Sequence, residues 1–305
     1  MNGPEAESNV RESSQTKTVR EALAEAAAAL RDAGVSGARR DAATLLMHAT
    51  GRERAYLFAH DDEALDEAVA ARFHESVARR ARGEPLQYVT GRQEFYGRAF
   101  EVTPDVLIPR PETEHLIEAA LEVLTGVSEP LICDVGTGSG CVAVTLLAER
   151  ADARGVAVDI SESALRVAAR NAERHGVSAR LALHVSDCFD FLDTSAEVGR
   201  TRFDAVVSNP PYVAESELEG LQREVREHEP RVALTPGGDG LSVIRRLVAE
   251  SPRYLKPGGH LLMEIGFNQH GRVAALIDPA VWTLLDIHRD LQGIPRTVAL
   301  RLNGG

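Results

Sequence analysis

Two adjacent prolines that follow a run of apolar residues place the strongest constraint on how this chain can fold. The run Phe203–Ser208 is predicted to be a buried strand. Pro210 and Pro211 cannot donate to a sheet ladder, so the strand must end before them. The residue before a proline is also restricted to extended backbone angles. We therefore expect Asn209 at the carboxyl end of a strand, which is where open α/β sheets bind ligands.

The segment Asn209–Tyr212 carries groups suited to holding a planar –NH2 group. The side chain of Asn209 offers one carbonyl acceptor, and the backbone carbonyl of Pro210 offers a second acceptor from a rigid turn. The ring of Tyr212 provides a flat surface on which such a group can stack. Taken alone, this motif is also compatible with a proline-stiffened turn that has no chemical role.

A second motif, Asp134–Gly140, follows another predicted strand and opens a helix. Its glycines let the backbone turn tightly and approach a ligand closely. The motif lacks the Lys-Ser/Thr of a P-loop, and it lacks the third glycine of a dinucleotide fingerprint. An acid placed before Gly-x-Gly-x-Gly suits a ligand with a cationic amino-acid end, while the glycines pass under a ribose.

Two more acids are predicted at strand ends. Asp159 ends the second strand, where an acid can hold ribose hydroxyls. Asp187 and Cys188 follow the third strand, where they can border an adenine. One acid in such a place is more often a cap or turn residue. Three acids at successive strand ends, beside the glycine loop, together indicate a nucleoside that carries an amino acid, which is S-adenosylmethionine.

The composition excludes several classes of protein. The chain has 46 acidic and 34 basic residues, for a net charge of -12, so it is a poor candidate for non-specific binding to nucleic acid. Its three cysteines, Cys133, Cys141 and Cys188, form no Cys-x-x-Cys motif, so we expect reduced, buried thiols and no metal site. We see no apolar run of membrane-spanning length and no signal peptide, and we expect a cytoplasmic protein.

Hydrophobic periodicity divides the 305 residues into four expected segments. They are a disordered tail at 1–16, a helical domain at 17–90, a hairpin linker at 91–110 and an α/β domain at 111–305. Helices are predicted at 18–33, 39–49, 53–59, 65–81 and 111–125. Strands are predicted at 131–135, 155–159, 180–184, 203–208 and 260–265, with helices that start near Cys141, Glu162, Ser216 and Leu241, and a final antiparallel pair at 282–287 and 297–302. This alternation is typical of a doubly wound parallel sheet.

These motifs resemble those of class I S-adenosylmethionine-dependent methyltransferases that act on amide or exocyclic nitrogens. More closely, the chain resembles the PrmC/HemK family, the peptide chain release factor glutamine N5-methyltransferases. The segments that carry this closer resemblance are Gly83–Tyr88, Glu94–Gly97, Ile108–Glu114, Glu229–Leu234 and Gly237–Gly240. The run Ile108–Glu114 is much more specific than Asn209–Tyr212, which adenine-N6 methyltransferases share.

The resemblance implies a fold, a reaction and a partner. The fold is a class I methyltransferase sheet of seven strands with its last strand reversed, plus a small all-α N-terminal domain that helps to hold the substrate. The substrate is a peptide chain release factor, whose Gly-Gly-Gln loop supplies a glutamine as methyl acceptor. We expect S-adenosylmethionine as the cofactor, no metal, no direct contact with nucleic acid or membrane, and a monomer.

The expected site residues fall into three overlapping groups. The catalytic residues are Asn209, Pro210 and Tyr212. The cofactor-binding residues are Asp134, Gly136, Thr137, Gly138, Ser139, Gly140, Asp159, Ile160, Asp187, Cys188 and Asn209. The substrate-binding residues are Asn209, Pro210, Pro211, Tyr212 and Arg110. The sequence departs from the family at Cys188, where many members have an aromatic residue, so the adenine contact differs there in detail.

Other functions remain compatible with the sequence. An adenine-N6 methyltransferase of DNA or RNA would present the same –NH2 group to Asn209–Tyr212, with a flipped base on Tyr212. The acceptor could also be a glutamine on a ribosomal protein. A third hypothesis is a methyltransferase-like domain that only binds a partner through its helical domain.

Overall fold

The computed structural model describes residues 17–194, 202–290 and 292–304. The predicted tail at 1–16 lies outside this part of the chain. By their internal contacts the residues group into two units, Met1–Thr90 and Gly91–Gly305. The pair of strands predicted as a linker belongs to the second unit.

The first unit is helical, as predicted. Its helices are α1 Val19–Asp32, α2 Ala38–Thr50, α3 Arg54–Ala59, α4 Glu67–Ala81 and α5 Leu86–Thr90. The first four match the periodicity of the sequence, whereas the short helix α5 was not predicted. The apolar faces of these helices meet in one core that contains Leu30, Leu45, Leu46 and Phe73, all fully buried.

A buried ion pair joins two helices of this unit. Asp41 on α2 is 2% exposed, and its Oδ2 accepts a hydrogen bond from Nε of Arg80 on α4 at 2.9 Å. The guanidinium also donates to the carbonyl of Glu84 at 3.0 Å. Loss of one charge from a buried pair is costly, because the other charge stays buried and loses that partner.

The second unit contains the remaining elements. Its strands are β1 Arg92–Phe95, β2 Arg98–Glu101, β3 Leu131–Val135, β4 Arg154–Asp159, β5 Leu181–Val185, β6 Phe203–Ser208, β7 Leu255–Glu264, β8 Trp282–Arg289 and β9 Pro295–Leu302. Its helices are α6 Glu114–Val123, α7 Cys141–Glu149, α8 Glu162–Arg174, α9 Asp190–Thr194, α10 Arg223–His228, α11 Arg231–Leu234, α12 Ser242–Glu250 and α13 His270–Ala274.

Seven strands form the central sheet in the order β5-β4-β3-β6-β7-β9-β8. Strands β3 to β7 pair in parallel, and β9 runs antiparallel to both of its neighbours. The predicted class I methyltransferase sheet with a reversed last strand is therefore confirmed. The strand order changes direction between β3 and β6, so the carboxyl ends of these strands flank the crevice in which such sheets bind ligands.

The alternation of side chains along each strand supplies a core on both faces of the sheet. Ile132 and Ala157 pack with helices α6 and α7 on one face. Cys133 and Val156, their neighbours in sequence, pack with α12 on the other face. Burial on both faces explains why these strands are continuous apolar runs in the sequence.

Two predicted elements differ from the structure. The helix expected from near Ser216 is instead a 3-10 helix, Glu215–Gly220, followed by α10. Leu221 has extended backbone angles directly after Gly220, and this interrupts the helix. Strand β7 also begins at Leu255 rather than His260, because Leu255 pairs with Phe203 ahead of an irregularity in the ladder. None of the helices in the described ranges is long and apolar enough to cross a membrane.

The buried ion pair of the first unit predicts a large effect on stability. Replacement Asp41→Ala should lower the free energy of unfolding of that unit by about 3 kcal/mol, because the guanidinium of Arg80 loses its carboxylate. Urea unfolding followed by far-ultraviolet circular dichroism measures this. Asp61→Ala is the matched control, since Asp61 pairs with Arg20 at the surface, where the loss of an ion pair has little effect on stability. Equal losses in the two variants would contradict the prediction.

Candidate active site

A cavity of about 380 Å³ lies at the carboxyl ends of β3, β4 and β6. The loop after β3, the end of β4 and the segment after β6 all line it. Before α6, its wall also includes Asp105, Val106, Leu107 and Pro109. Parallel strands bring their carboxyl ends to the same edge, so the three motifs that lie far apart in sequence meet here.

Asn209 lies where the prolines place it, one residue beyond the end of β6. Its Nδ2 donates to Oγ1 of Thr113 at 3.0 Å. This hydrogen bond assigns the amide orientation and leaves the side-chain carbonyl oxygen as the group that can accept from a ligand. Pro210 and Pro211 line the same cavity.

Tyr212 is anchored below the cavity wall. It is not among the described residues that line the cavity, and its ring packs against the apolar core around α12. Its hydroxyl donates to Oε1 of Glu264 at 3.0 Å. Burial, reinforced by the carboxylate of Glu264, holds the pKa of Tyr212 above its usual range, so the phenol stays protonated and acts as a donor.

The backbone of Tyr212 is held from two sides. Its carbonyl accepts a hydrogen bond from Nε2 of Gln269 at 2.8 Å. Gly240 lies so close that a Cβ atom there would be 2.3 Å from the same carbonyl oxygen, and the φ of +77° at Gly240 also favours glycine. The turn after the two prolines is therefore fixed by residues that are remote in sequence.

The glycine loop between β3 and α7 has the backbone shape that the motif predicts. Gly136 and Gly138 both have positive φ, and a Cβ on either would face open space. The N–H of Gly138 donates to Oδ2 of Asp159 at 2.8 Å, which ties the loop to the end of β4. Asn171 on α8 donates to the carbonyl of Ser139 at 2.9 Å and supports the loop from behind.

Asp134 supports this loop from inside the protein. It is 1% exposed, and its Oδ2 accepts hydrogen bonds from Oγ1 of Thr137 at 2.7 Å and from the N–H of Ala143 at 3.2 Å. Within the described residues its Oδ1 has no hydrogen-bond partner. Burial raises the pKa of Asp134 to about 7. Asp134 is not among the described residues that line the cavity, so its contact with a cationic ligand group stays a prediction.

Asp159 and its neighbours form the far end of the cavity. The second oxygen of Asp159 accepts from the N–H of Ser161 at 2.9 Å, and burial raises the pKa of this carboxyl. Ile160 lines the cavity and is 56% exposed, an apolar surface open to a flat ligand. Thus the carboxylate is oriented by backbone N–H groups and still has lone pairs to accept from hydroxyls.

The segment after β5 completes that end of the cavity. Asp187 lines it and pairs with Arg246 of α12 at 2.7 Å. Cys188 has a positive φ of 49° and is buried. Burial raises the pKa of the Cys188 and Cys141 thiols to about 12 and holds that of Cys133 far above its usual range. All three cysteines are free and buried.

Arg110 forms an ion pair with a buried carboxylate. Its guanidinium pairs with Oε1 of Glu229, which is 6% exposed, and Oε2 of Glu229 accepts from the N–H of Ile108 at 3.2 Å. The pair therefore links the segment before α6 to the segment before α11. A contact between Arg110 and a substrate stays a prediction.

Sequence reasoning did not identify Thr113, Glu264 and Gln269 as site residues. Glu264 ends the apolar strand β7 and is 1% exposed. Burial raises its pKa, and the hydrogen bonds from Thr113 and Tyr212 oppose that shift. An acid within the run Leu261–Ile265 was a usable signal, because a buried carboxylate needs partners. In the described ranges, no cluster of three His, Cys, Asp or Glu side chains could hold a metal ion.

Comparison with known proteins identifies the class first. Residues 128–274 match a family described as a methyltransferase domain, and residues 21–91 match the PrmC N-terminal domain. The chain is thus a methyltransferase with an additional helical domain.

Full-length relatives identify the family. A release factor glutamine methyltransferase from Nitratidesulfovibrio vulgaris is 47% identical over 90% of this chain and 92% of its own length. One from Cereibacter sphaeroides is 45% identical over 92% of this chain and 98% of its own. One from Koribacter versatilis is 45% identical over 93% of this chain and 98% of its own length. The chain belongs to the release factor glutamine methyltransferase family. The predicted family, the enzyme class and S-adenosylmethionine as the cofactor are confirmed.

The raised pKa of Asp134 predicts opposite effects of Asp134→Asn on stability and on binding. In the folded protein this carboxyl keeps its proton up to pH 7, whereas the unfolded chain loses it near pH 4. The stability that this group contributes is therefore lost as the pH rises through 7. The difference in thermal stability between the variant and the wild type should therefore shift in favour of the variant from pH 5 to pH 8. At pH 8 the variant should also bind S-adenosylmethionine about tenfold more weakly than the wild type.

Thermal unfolding at both pH values and titration calorimetry at pH 8 measure these two effects. Asp152→Ala is the control, because Asp152 lies at the surface and pairs with Arg150. A stability difference that does not change between pH 5 and pH 8 would contradict the assignment of the raised pKa. Unchanged cofactor affinity would contradict the role of the carboxylate in binding the cationic group.

Proposed function

We propose that this enzyme transfers a methyl group from S-adenosylmethionine to the side-chain amide nitrogen of the glutamine in the Gly-Gly-Gln loop of peptide chain release factors. The observation that carries the proposal is the orientation of Asn209. Its amide is held by Thr113 so that the carbonyl oxygen is available at the edge of the cavity. A fixed acceptor at this point suits a primary amide, and relatives of this chain are named for glutamine methylation.

The chemical problem is that an amide nitrogen is a poor nucleophile. Its lone pair is delocalised into the carbonyl, and its protons are too weakly acidic for a side chain to remove near neutral pH. A strong general base would therefore contribute little. The enzyme must instead position the nitrogen and supply acceptors for its protons.

Asn209 and Pro210 meet this need. Oδ1 of Asn209 and the backbone carbonyl of Pro210 accept the two N–H bonds of the substrate amide. These contacts direct the nitrogen lone pair to the methyl group and favour rotation of the nitrogen out of conjugation. Pro211 keeps the turn rigid, and Tyr212 anchors the turn through the hydrogen bond from its hydroxyl to Glu264.

The methyl group comes from a sulfonium, which brings a positive charge and a neutral thioether leaving group. The new N–C bond uses the nitrogen lone pair, and the electron pair of the broken S–C bond remains on sulfur. The nitrogen then loses one proton to water. No residue of the chain takes part in a covalent bond.

The cofactor residues divide according to the parts of S-adenosylmethionine. The carboxylate of Asp134 balances the charge of the amino-acid end, and the loop from Gly136 to Gly140 passes under the ribose. Asp159 accepts from the ribose hydroxyls. The adenine lies against Ile160 and borders the segment that contains Asp187 and Cys188.

The partner and setting belong to the same proposal. Residues 17–90 form the domain that recognises the release factor, and the unit that begins at Gly91 carries out the methyl transfer. Arg110, which pairs with Glu229, contacts the release factor. The enzyme works as a monomer in the cytoplasm, where release factors act, and its net charge of -12 disfavours direct binding to nucleic acid.

A methyl-transfer assay with labelled S-adenosylmethionine tests the function. The acceptors are a purified release factor, the same factor with its loop glutamine changed to alanine, a ribosomal protein mixture and duplex DNA. Mass spectrometry locates the label. One methyl group on the loop glutamine, absent from the alanine control, is the expected result. Label on adenine or on a ribosomal protein would show that the proposed substrate is wrong. Bound cofactor without label on any acceptor would favour a protein that binds a partner and does not transfer the methyl group.

The role of Asn209 predicts a selective loss of turnover. Asn209→Ala should lower kcat about a hundredfold or more, because it removes roughly 3 kcal/mol of oriented hydrogen bonding in the transition state. Affinity for S-adenosylmethionine, measured by calorimetry, should stay within about threefold of the wild type. Turnover close to that of the wild type would overturn the mechanism.

The role of Asp159 predicts the reverse pattern. Asp159→Ala should weaken binding of S-adenosylmethionine about tenfold to a hundredfold, because it removes charged acceptors for the ribose. Glu162→Ala is the matched control, since this acid lies three residues further on and is exposed at the surface. Calorimetry compares the two variants, and an unchanged affinity in Asp159→Ala would rule out the ribose assignment.

A further inference from the structure

Three buried or half-buried side chains from distant segments form a chain of hydrogen bonds behind the acceptor site. Oε2 of Glu264 accepts from Oγ1 of Thr113 at 2.7 Å. The same Oγ1 accepts from Nδ2 of Asn209 at 3.0 Å. Thr113 and Glu264 are each 1% exposed, so water does not compete for these contacts.

The direction of the first hydrogen bond fixes the direction of the second. A threonine hydroxyl has one proton and two lone pairs. Ionised Glu264 accepts the hydrogen bond of the Thr113 hydroxyl, and its other oxygen accepts that of Tyr212. The hydroxyl of Thr113 then has no second proton to donate and can only accept from Asn209. Asn209 must therefore turn its –NH2 to Thr113 and its carbonyl oxygen away from it.

We propose that Glu264 is a positioning residue that acts through Thr113 to set Asn209 as an acceptor for the substrate amide. This inference rests on the proposed function of Asn209. The two ends of an asparagine amide have nearly the same shape, so packing alone does not select between its orientations. Hydrogen bonding has to make the selection.

The selection matters because the –NH2 group that the substrate turns to Asn209 presents only donors. If the hydroxyl of Thr113 donated to Asn209 instead, the amide of Asn209 would be reversed. Its N–H bonds would then face the N–H bonds of the glutamine. The site would then repel the group that it must hold. Glu264 prevents this arrangement without touching the substrate.

The other oxygen of Glu264 serves the second half of the motif. Oε1 accepts from the hydroxyl of Tyr212 at 3.0 Å. One carboxylate thus holds both the asparagine and the tyrosine, each through a hydroxyl. Thr113 ends the 3-10 helix Pro111–Thr113, which precedes α6, while Glu264 ends β7 and Asn209 follows β6. The hydrogen bonds therefore join three separate parts of the catalytic unit.

Kinetics of Thr113 variants test the inference. Thr113→Val keeps the shape of the side chain but removes the hydroxyl. It should lower kcat about tenfold, with KM for the release factor and the affinity for S-adenosylmethionine within about twofold of the wild type. Thr113→Ser restores the hydroxyl and should recover most of kcat. Thr145→Val is the matched control, because Thr145 is fully buried and its hydroxyl has no partner among the described residues.

A double-mutant cycle separates positioning from a general structural role. If Thr113 acts through Asn209, Thr113→Val should cost little further activity in the Asn209→Ala background. Glu264→Gln should likewise cost little further activity in the Asn209→Ala background. If the effects of Thr113→Val and Asn209→Ala on kcat were fully additive, or if Thr113→Val had the kcat of the wild type, the inference would be overturned. The proposed function would be unaffected by either result.

Nuclear magnetic resonance provides a readout that needs no substrate. The side-chain amide signal of Asn209 is assigned by its absence from Asn209→Ala. In the wild type, its –NH2 protons should be protected from exchange by the hydrogen bond to Thr113, and Thr113→Val should abolish this protection. Equal protection in both proteins would overturn the inference, whatever the enzyme methylates.

Discussion

The parallel arrangement of β3, β4 and β6 is the constraint on which the rest of the catalytic unit depends. Each strand delivers one part of the site at its carboxyl end, and the parallel ladders bring these ends to one edge of the sheet. The pairing of these three strands is enough to bring together the glycine loop, Asp159 and Asn209. Helices on both faces bury the apolar side chains of the strands and hold the edge in place.

Sequence patterns predicted this edge well because its signals are local. Two prolines after an apolar run fix the point at which the strand ends. The predicted position of Asn209, directly after this strand, is confirmed. The Gly-x-Gly-x-Gly loop and its positive φ angles have the same local origin. The 3-10 helix Glu215–Gly220 was missed because the interruption depends on the extended conformation of a single residue, Leu221.

Contacts that bridge distant segments could not be predicted in the same way. Thr113 and Glu264 are 151 positions apart, and their contact depends on which strands lie next to β6. The sequence shows an acid in an apolar strand but not the two hydroxyls that it meets. The same is true of Gln269, whose amide reaches the backbone of Tyr212. The position of the predicted binding residues at this edge of the sheet could thus be predicted, whereas the contacts that orient them required the structure.

The three buried thiols have a consequence for how the enzyme tolerates its surroundings. A thiol must ionise before it reacts readily with peroxide, with a disulfide or with an alkylating reagent. Burial raises the pKa of Cys141 and Cys188 to about 12 and that of Cys133 further, so hardly any thiolate is present at neutral pH. The native cysteines are therefore poor targets for oxidants. A cysteine introduced at an exposed position would be the preferred site for a thiol-directed fluorescent label, and the catalytic unit could be labelled without removal of its own cysteines.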